Sequence, residues 1–255
     1  ELTNPTESEK QSSGLDKDYT FAWSYGKGES FSLLIPNIHG GESGGMLGPE
    51  SNVYKQLKAQ GQQLPPNGVQ MYTYWGDQPF TSGPVYFGAI ICFLFVLGLI
   101  VIKSKVKWIL LAATIFFIFL SWGRNFETFN DLFFYYFPFY SKFRAVSTAL
   151  IIPALTMVVI AVWGIKSFFE DTSDIKVRLK SLYIAGGITA GLCLFFWLLP
   201  DFFFNFTSES DAQWKSQMPD WFYSALLQDR KELLTSDSLR SFVFIALSVL
   251  LLWLS

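Results

Sequence analysis

Hydrophobic residues arrive along this chain in blocks. Residues 1–82 are largely polar and rich in Gly, Pro and Ser; apolar runs then occupy residues 83–102, 106–122, 146–165, 182–199 and 239–255. A bilayer core of roughly 30 Å needs about 20 residues of helix, so each run approaches or reaches a membrane span. Gly186, Gly187 and Gly191 in the fourth run do not weaken this, because membrane helices tolerate glycine better than soluble ones. The pattern predicts an α-helical polytopic membrane protein with about five transmembrane helices over residues 83–255 and a mixed loop region over residues 1–82.

Two shorter stretches carry a one-sided pattern. Phe126, Phe129, Leu132, Phe133, Tyr136 and Phe137 recur at helical spacing, and Glu127, Thr128, Asn130 and Asp131 fill the opposite face. That predicts an interfacial helix near 126–137, capped by Asn125 and stopped by Pro138. Phe222, Leu226 and Leu233 predict a second near 219–234, after which Ser236-Asp237-Ser238 reads as a cap for the last span. Residues 51–61 suit a short helix, and residues 21–38 are aromatic and β-compatible around a Gly-Lys-Gly turn.

Charge sets an expected orientation. The net charge of −2 comes with no basic tail or stripe for nucleic acid. The connections at 103–107 and 166–180 carry most of the loop Lys and Arg between spans, which places them on the cytoplasmic side. Residues 1–82, 123–145 and 200–238 then lie outside. The sequence starts without Met or a signal-peptide pattern and is still apolar at Ser255, so it reads as an internal piece of a longer protein. Cys92 and Cys193 fall within spans and read as small buried hydrophobes.

Candidate chemistry concentrates in residues 121–147, where Arg124, Lys142 and Arg144 flank two membrane runs with Glu127 and Asp131. Lys142 and Arg144 suit either snorkelling to headgroups or a clamp on an anionic lipid-linked phosphate. In residues 1–82, Lys27 and Glu29 belong to a glycine turn that lacks phosphate-loop spacing. His39, the only histidine, opens the glycine-rich HGGESGGMLG and reads most simply as a solvated loop side chain, with Glu42 its nearest partner and no metal-ligand spacing. Tyr72, Tyr74 and Trp75 suit an aromatic belt at headgroup level. Asp77 is a carboxylate just above the membrane, either a general base or a turn former before Pro79.

The strings WSYGKGESFSLLIPN, YWGDQPFTSGPVYFGAI, LLAATIFFIFLSWGRNF and FPFYSKFRAVS resemble the YfhO family of bacterial membrane proteins, in the form common among Bacteroidetes; the resemblance runs on into LLQDRKELLTSDSLRSF. It implies a GT-C-like fold in the cytoplasmic membrane and transfer of sugar from a polyprenyl-phosphate donor to a glycan or cell-wall polymer on the outer face. It also implies Arg124, Lys142 and Arg144 as donor-phosphate residues. Lys27, Glu29, His39 and Asp77 are weaker candidates on the acceptor side, Trp75 is a further substrate-binding candidate, and a divalent-metal requirement stays open. GT-C enzymes usually carry their catalytic carboxylate in the first outer loop, upstream of where this chain begins, so the catalytic base is unassigned, with Asp77, Glu29 and His39 as candidates. A transporter or flippase of lipid-linked saccharide, or a non-catalytic scaffold, is the alternative. Transport usually relies on ionisable groups or broken helices near the midplane, and these runs hold essentially no charges there.

Overall fold

In a computed structural model, which describes residues 14–170 and 175–255, the chain is 66% helix. The apolar elements are α3 (Ala89–Val101), α4 (Val106–Ser121), α6 (Ile151–Glu170), α7 (Ile175–Leu198) and α9 (Asp220–Leu254). Three helical segments are long and apolar enough to cross a membrane: Val146–Glu170, Ile175–Leu198 and Asp220–Leu254. A fourth arises if α4 and the segment Gly123–Tyr136, bent by 116° at the break, count as one span. The helix expected over 83–102 is shorter than its apolar run: residues 83–88 lie outside the helix, and the 13 residues of α3 rise only about 20 Å.

Inside a bilayer, hydrophobicity does not drive helix against helix, and close packing must do so. α3 lies most extensively on α6, and α7 on α9. At the first crossing a Cβ on Gly164 would lie 2.6 Å from the Gly98 Cα, and one on Gly98 would lie 2.5 Å from the Ile160 carbonyl oxygen. Pro153 is the third residue of α6, where its missing N–H breaks no helical bond. Cys92 and Cys193 are buried free thiols.

The polar segments assemble at one end into a cap. It includes α1 (Lys17–Thr20), α2 (Asn52–Ala59), the antiparallel pair β1 (Gly45–Leu47) and β2 (Val69–Met71), α5 (Glu127–Tyr136), α8 (Ala212–Lys215) and the first turns of α9. The strands pair Gly45 with Met71 and Leu47 with Val69. Leu47, Val53 and Leu57 bury themselves against Phe222, Ala225 and Leu226. Three segments expected to share one side of the membrane therefore touch: Lys17 pairs with Asp131 at 2.8 Å, Arg124 Nη2 donates to the Asp77 carbonyl at 2.6 Å, and Arg230 Nη2 donates to the Tyr72 carbonyl at 2.8 Å.

Several local expectations are corrected. The interfacial helix near 219–234 and the span near 239–255 form one 35-residue helix, and Ser236-Asp237-Ser238 caps nothing. Its polar middle serves as ties instead. Asp229 accepts from the N–H groups of Asn52 (2.6 Å) and Val53 (2.9 Å), a favourable place for a carboxylate at the start of α2. Asp237 accepts from the Asn37 N–H at 3.1 Å, and Ser241 donates to the Leu34 carbonyl at 3.1 Å. Residues 21–38 hold a 3-10 helix, Gly28–Leu33, and no strand. α5 ends at Tyr136 before Pro138 as expected, but Asn125 does not cap it; its amide donates to the Tyr25 carbonyl.

Candidate functional site

A polar cleft of about 720 Å³ opens within the cap, lined among others by Asp77, Gln78, Arg124, Asn125, Ser208 and Glu209. That volume suits a small ligand. One wall, residues 74–79, stands on a buried carboxylate. Glu29, 3% exposed, accepts from the Gly26 N–H at 2.7 Å, the Tyr74 hydroxyl at 2.5 Å and the Asp77 N–H at 3.2 Å. Burial pushes the Glu29 pKa up, against these three donors. The approach of the next layer is so close that only glycine fits at position 40: φ is +84° and a Cβ would overlap the Thr73 carbonyl. There the Trp75 N–H donates to the His39 carbonyl at 3.0 Å.

The floor comes from the bend after α4. Gly123 takes a φ of +44°, the Arg124 N–H donates to the Ser24 hydroxyl at 2.8 Å, and the guanidinium reaches the cleft. Apart from the bond to the Asp77 carbonyl, its side chain makes no protein hydrogen bond among the described residues. The Asp77 carboxyl lies at the rim. Partial desolvation pushes its pKa above the ordinary carboxylate range, Arg124 opposes this, and Glu209 across the cleft reinforces it. A carboxylate so poised beside a guanidinium can take a proton while the cation holds an anion.

The second wall, residues 205–211, is fixed by a buried ion pair. Arg230, fully buried, donates to both oxygens of Asp211 at 2.7 and 2.9 Å and to the carbonyls of Phe206, Tyr72 and Tyr74 at 2.8, 2.8 and 3.3 Å. Burial alone would raise the Asp211 pKa, but the Arg230 guanidinium, the Ser208 N–H and the Tyr223 hydroxyl together hold it below the usual value. Neither residue stood out as chemistry in the sequence. The available signal was spacing: Phe222, Leu226, Arg230 and Leu234 recur every fourth position, so an arginine sits on the apolar face of its helix.

The remaining candidates disperse. His39 is not a freely solvated side chain: its ring packs on Trp75 at 4.1 Å between centroids, tilted by 35°, Nδ1 is buried without a partner among the described residues, and burial lowers its pKa to about 3, which keeps it neutral. Trp75 and Tyr74 do not form an interfacial belt. Trp75 is 7% exposed, its ring packed on His39, Phe204 and Phe206, so it borders the cleft without offering its face to a ligand. Lys27 Nζ sits 5.6 Å from the Phe126 ring centroid, and Lys142 Nζ 5.3 Å from that of Phe139.

Arg144 belongs to a second depression. It donates to the Tyr19 hydroxyl at 2.7 Å and edges an apolar groove of about 380 Å³ between α4, α5 and the start of α6, lined by Phe116, Leu120, Phe133, Phe137 and Val146 among others. Gly123, whose successor Arg124 lines the cleft, packs against the groove-lining Val146, since a Cβ there would lie 2.7 Å from Val146 Cγ2. Phe139 and Ala145, which flank the two cations of this hairpin, take left-handed φ values of 67° and 59°. The three expected phosphate-binding cations therefore do not form one cluster. Among the described residues, no group of three or more His, Cys, Asp or Glu is placed to hold a metal ion.

Comparison with protein-family models, with curated proteins and with solved structures finds no match.

Proposed function

We propose that this chain forms part of a GT-C-like glycosyltransferase of the bacterial cytoplasmic membrane, moving a sugar from a polyprenyl-phosphate donor to a cell-envelope glycan or polymer on the outer face. The resemblance to the YfhO family motivates the reading. The observation that carries it is the adjacency of two depressions with complementary chemistry. A polar cleft holds Asp77 and Arg124, and Gly123, the residue before Arg124, packs against Val146 of an apolar groove edged by Arg144.

In this reading the groove takes the first isoprene units, with Arg144 at the phosphate, and the sugar reaches past Gly123 into the cleft. The acceptor hydroxyl attacks the anomeric carbon as its proton passes to the Asp77 carboxylate. The bond from that carbon to the phosphate oxygen breaks, its electron pair leaves with the lipid phosphate, and Arg144, with Arg124 from the cleft side, stabilises the charge that develops. The buried Glu29 and the half-buried His39 take no part in proton transfer and hold the wall that presents Asp77.

The test uses the full chain in nanodiscs with radiolabelled undecaprenyl-phosphate glucose and a cell-envelope extract as acceptor. Transfer by the wild type that falls at least tenfold in Arg124→Ala, together with undecaprenyl-phosphate binding weakened in Arg144→Ala, supports the proposal. Binding without transfer from any undecaprenyl-phosphate hexose would favour a transporter of lipid-linked saccharide, and absence of both would leave a scaffold.

A further inference from the structure

Arg230 occupies an unusual position relative to the cleft. It lies behind both walls rather than in the opening, and all five of its hydrogen bonds go to segments that form them. Tyr72 and Tyr74 belong to the segment that follows β2 and runs into Trp75, Gly76 and Asp77. Phe206 and Asp211 bracket residues 207–210, which carry Ser208 and Glu209 into the opposite wall. No hydrogen bond or ion pair among the described residues joins residues 76–79 directly to residues 207–210, so the guanidinium is the polar link between the walls.

The segment it holds does not adopt its shape at no cost. Phe206 takes a φ of 59°, a left-handed conformation that is a genuine outlier for a bulky residue. Two contacts keep it there: its carbonyl accepts from Arg230 Nη1 at 2.8 Å, and its ring packs on Trp75 at 5.4 Å between centroids. Ser208 then closes a small capping box with Asp211, whose second duty is the ion pair with Arg230. Release of the guanidinium would leave Phe206 strained, Asp211 without its counter-charge and the Tyr72 and Tyr74 carbonyls without this donor.

We infer that Arg230 is the positioning residue of the cleft, fixing the separation of the Asp77 wall from the Ser208–Glu209 wall through one forked guanidinium. Because Arg230 lies on α9, which continues unbroken to Leu254, it also ties the cleft to a helix long and apolar enough to span the membrane. Lysine cannot replace it, since an ammonium has neither the planar fork nor enough donors for three carbonyls and a carboxylate. The functional consequence rests on the reading that the cleft takes the acceptor. The geometric claim does not.

The experiment measures that separation without any ligand. Spin labels at Gln78→Cys and Ser210→Cys, one on each wall, report the distance across the cleft in nanodiscs, in a Cys92→Ala/Cys193→Ala background; labels at Val162→Cys and Ile188→Cys report on the helical bundle. Two variants are compared with wild type: Arg230→Lys, and Arg230→Met/Asp211→Leu, in which an apolar pair replaces the buried charges so that the fold survives. The expected result is a distance distribution across the cleft at least twofold broader in both variants, with the bundle pair unchanged. In the transfer assay the double variant should raise the acceptor KM at least tenfold while undecaprenyl-phosphate binding stays as in wild type. A cleft distribution as narrow as wild type in the double variant would overturn the inference. Transfer that is absent in the wild type would instead count against the glycosyltransferase reading and leave the distance result standing.

Discussion

Two arginines of the same cap show how one side chain can build a scaffold or a site. Arg230 is fully buried, makes five hydrogen bonds to protein and faces a carboxylate bidentately. Arg124 is exposed, makes one side-chain bond to protein and stands beside a carboxylate across open space. Their partners mirror this contrast. Asp211 is held below the ordinary carboxylate range because donors surround it, whereas Asp77 is pushed above it because desolvation outweighs Arg124. A guanidinium whose Nη donors are all taken by protein holds geometry; one with free donors can bind an anion while the raised carboxyl beside it exchanges a proton.

The largest effect should come from breaking the engaged pair. Arg230→Ala leaves Asp211 charged and buried, which costs about 3–5 kcal/mol, whereas Arg230→Met/Asp211→Leu removes the buried charges, loses only hydrogen bonds to neutral partners and should cost less than the single variant. Denaturant unfolding in nanodiscs, followed by tryptophan fluorescence, checks both. If Arg230→Ala unfolds with the wild-type midpoint, the pair is not the tie described.

Breaking the open pair should do the reverse. Asp77→Asn should shift stability by no more than about 0.5 kcal/mol, as surface changes do. Transfer should fall by about 10²–10⁴, the range for loss of a general base. The two variants together sharpen the contrast, because each should move the quantity that the other leaves alone.

A smaller effect separates the carboxyls by the sign of their pH dependence. Asp211, depressed in the fold, contributes stability that is present above its unfolded pKa of about 3.9 and is lost as pH falls through the folded value. Asp77, raised in the fold, contributes the other way: its share is present below the unfolded pKa and is lost as pH rises through the folded value. Unfolding midpoints against pH should therefore lose part of their acid-side slope in the Arg230→Met/Asp211→Leu variant. In Asp77→Asn the midpoint should rise slightly at neutral pH relative to wild type, with little change below pH 4. A fall at neutral pH would show that Asp77 is not desolvated.

Smallest of all should be Glu209→Gln. It removes the carboxylate that reinforces the raised Asp77 pKa across the cleft, so the acid-side limb of the transfer profile, where rate rises as Asp77 loses its proton, should move to lower pH without loss of maximal rate.

The same contrast explains what could be read from the sequence. Apolar blocks announced α4, α6 and α7 because length and hydropathy alone define them, and Pro138 marked the end of α5 because it cannot continue a helix. Asp77 and Arg124 stood out because charge beside a membrane run is costly unless used. The engaged group was hidden for the opposite reason. Arg230 and Asp211 lie 19 residues apart in ordinary polar surroundings, and only the fold brings the Tyr72 and Tyr74 carbonyls to them. The continuity of α9 was missed likewise: Asp237 and Ser238 look like a cap until Asn37 is seen to donate to that carboxylate from 200 positions away. His39 was misjudged because glycine-rich surroundings suggest solvent, whereas here Gly40 lets the Thr73 backbone close over it.

The most direct test is sugar transfer by Asp77→Asn, with rate and unfolding midpoint measured on the same nanodisc preparation using radiolabelled undecaprenyl-phosphate glucose. The expected result is a protein with the wild-type midpoint and a transfer rate at least about a hundredfold lower. Transfer at the wild-type rate would contradict it, and would move the chemistry out of the cleft that Asp77 and Arg124 share.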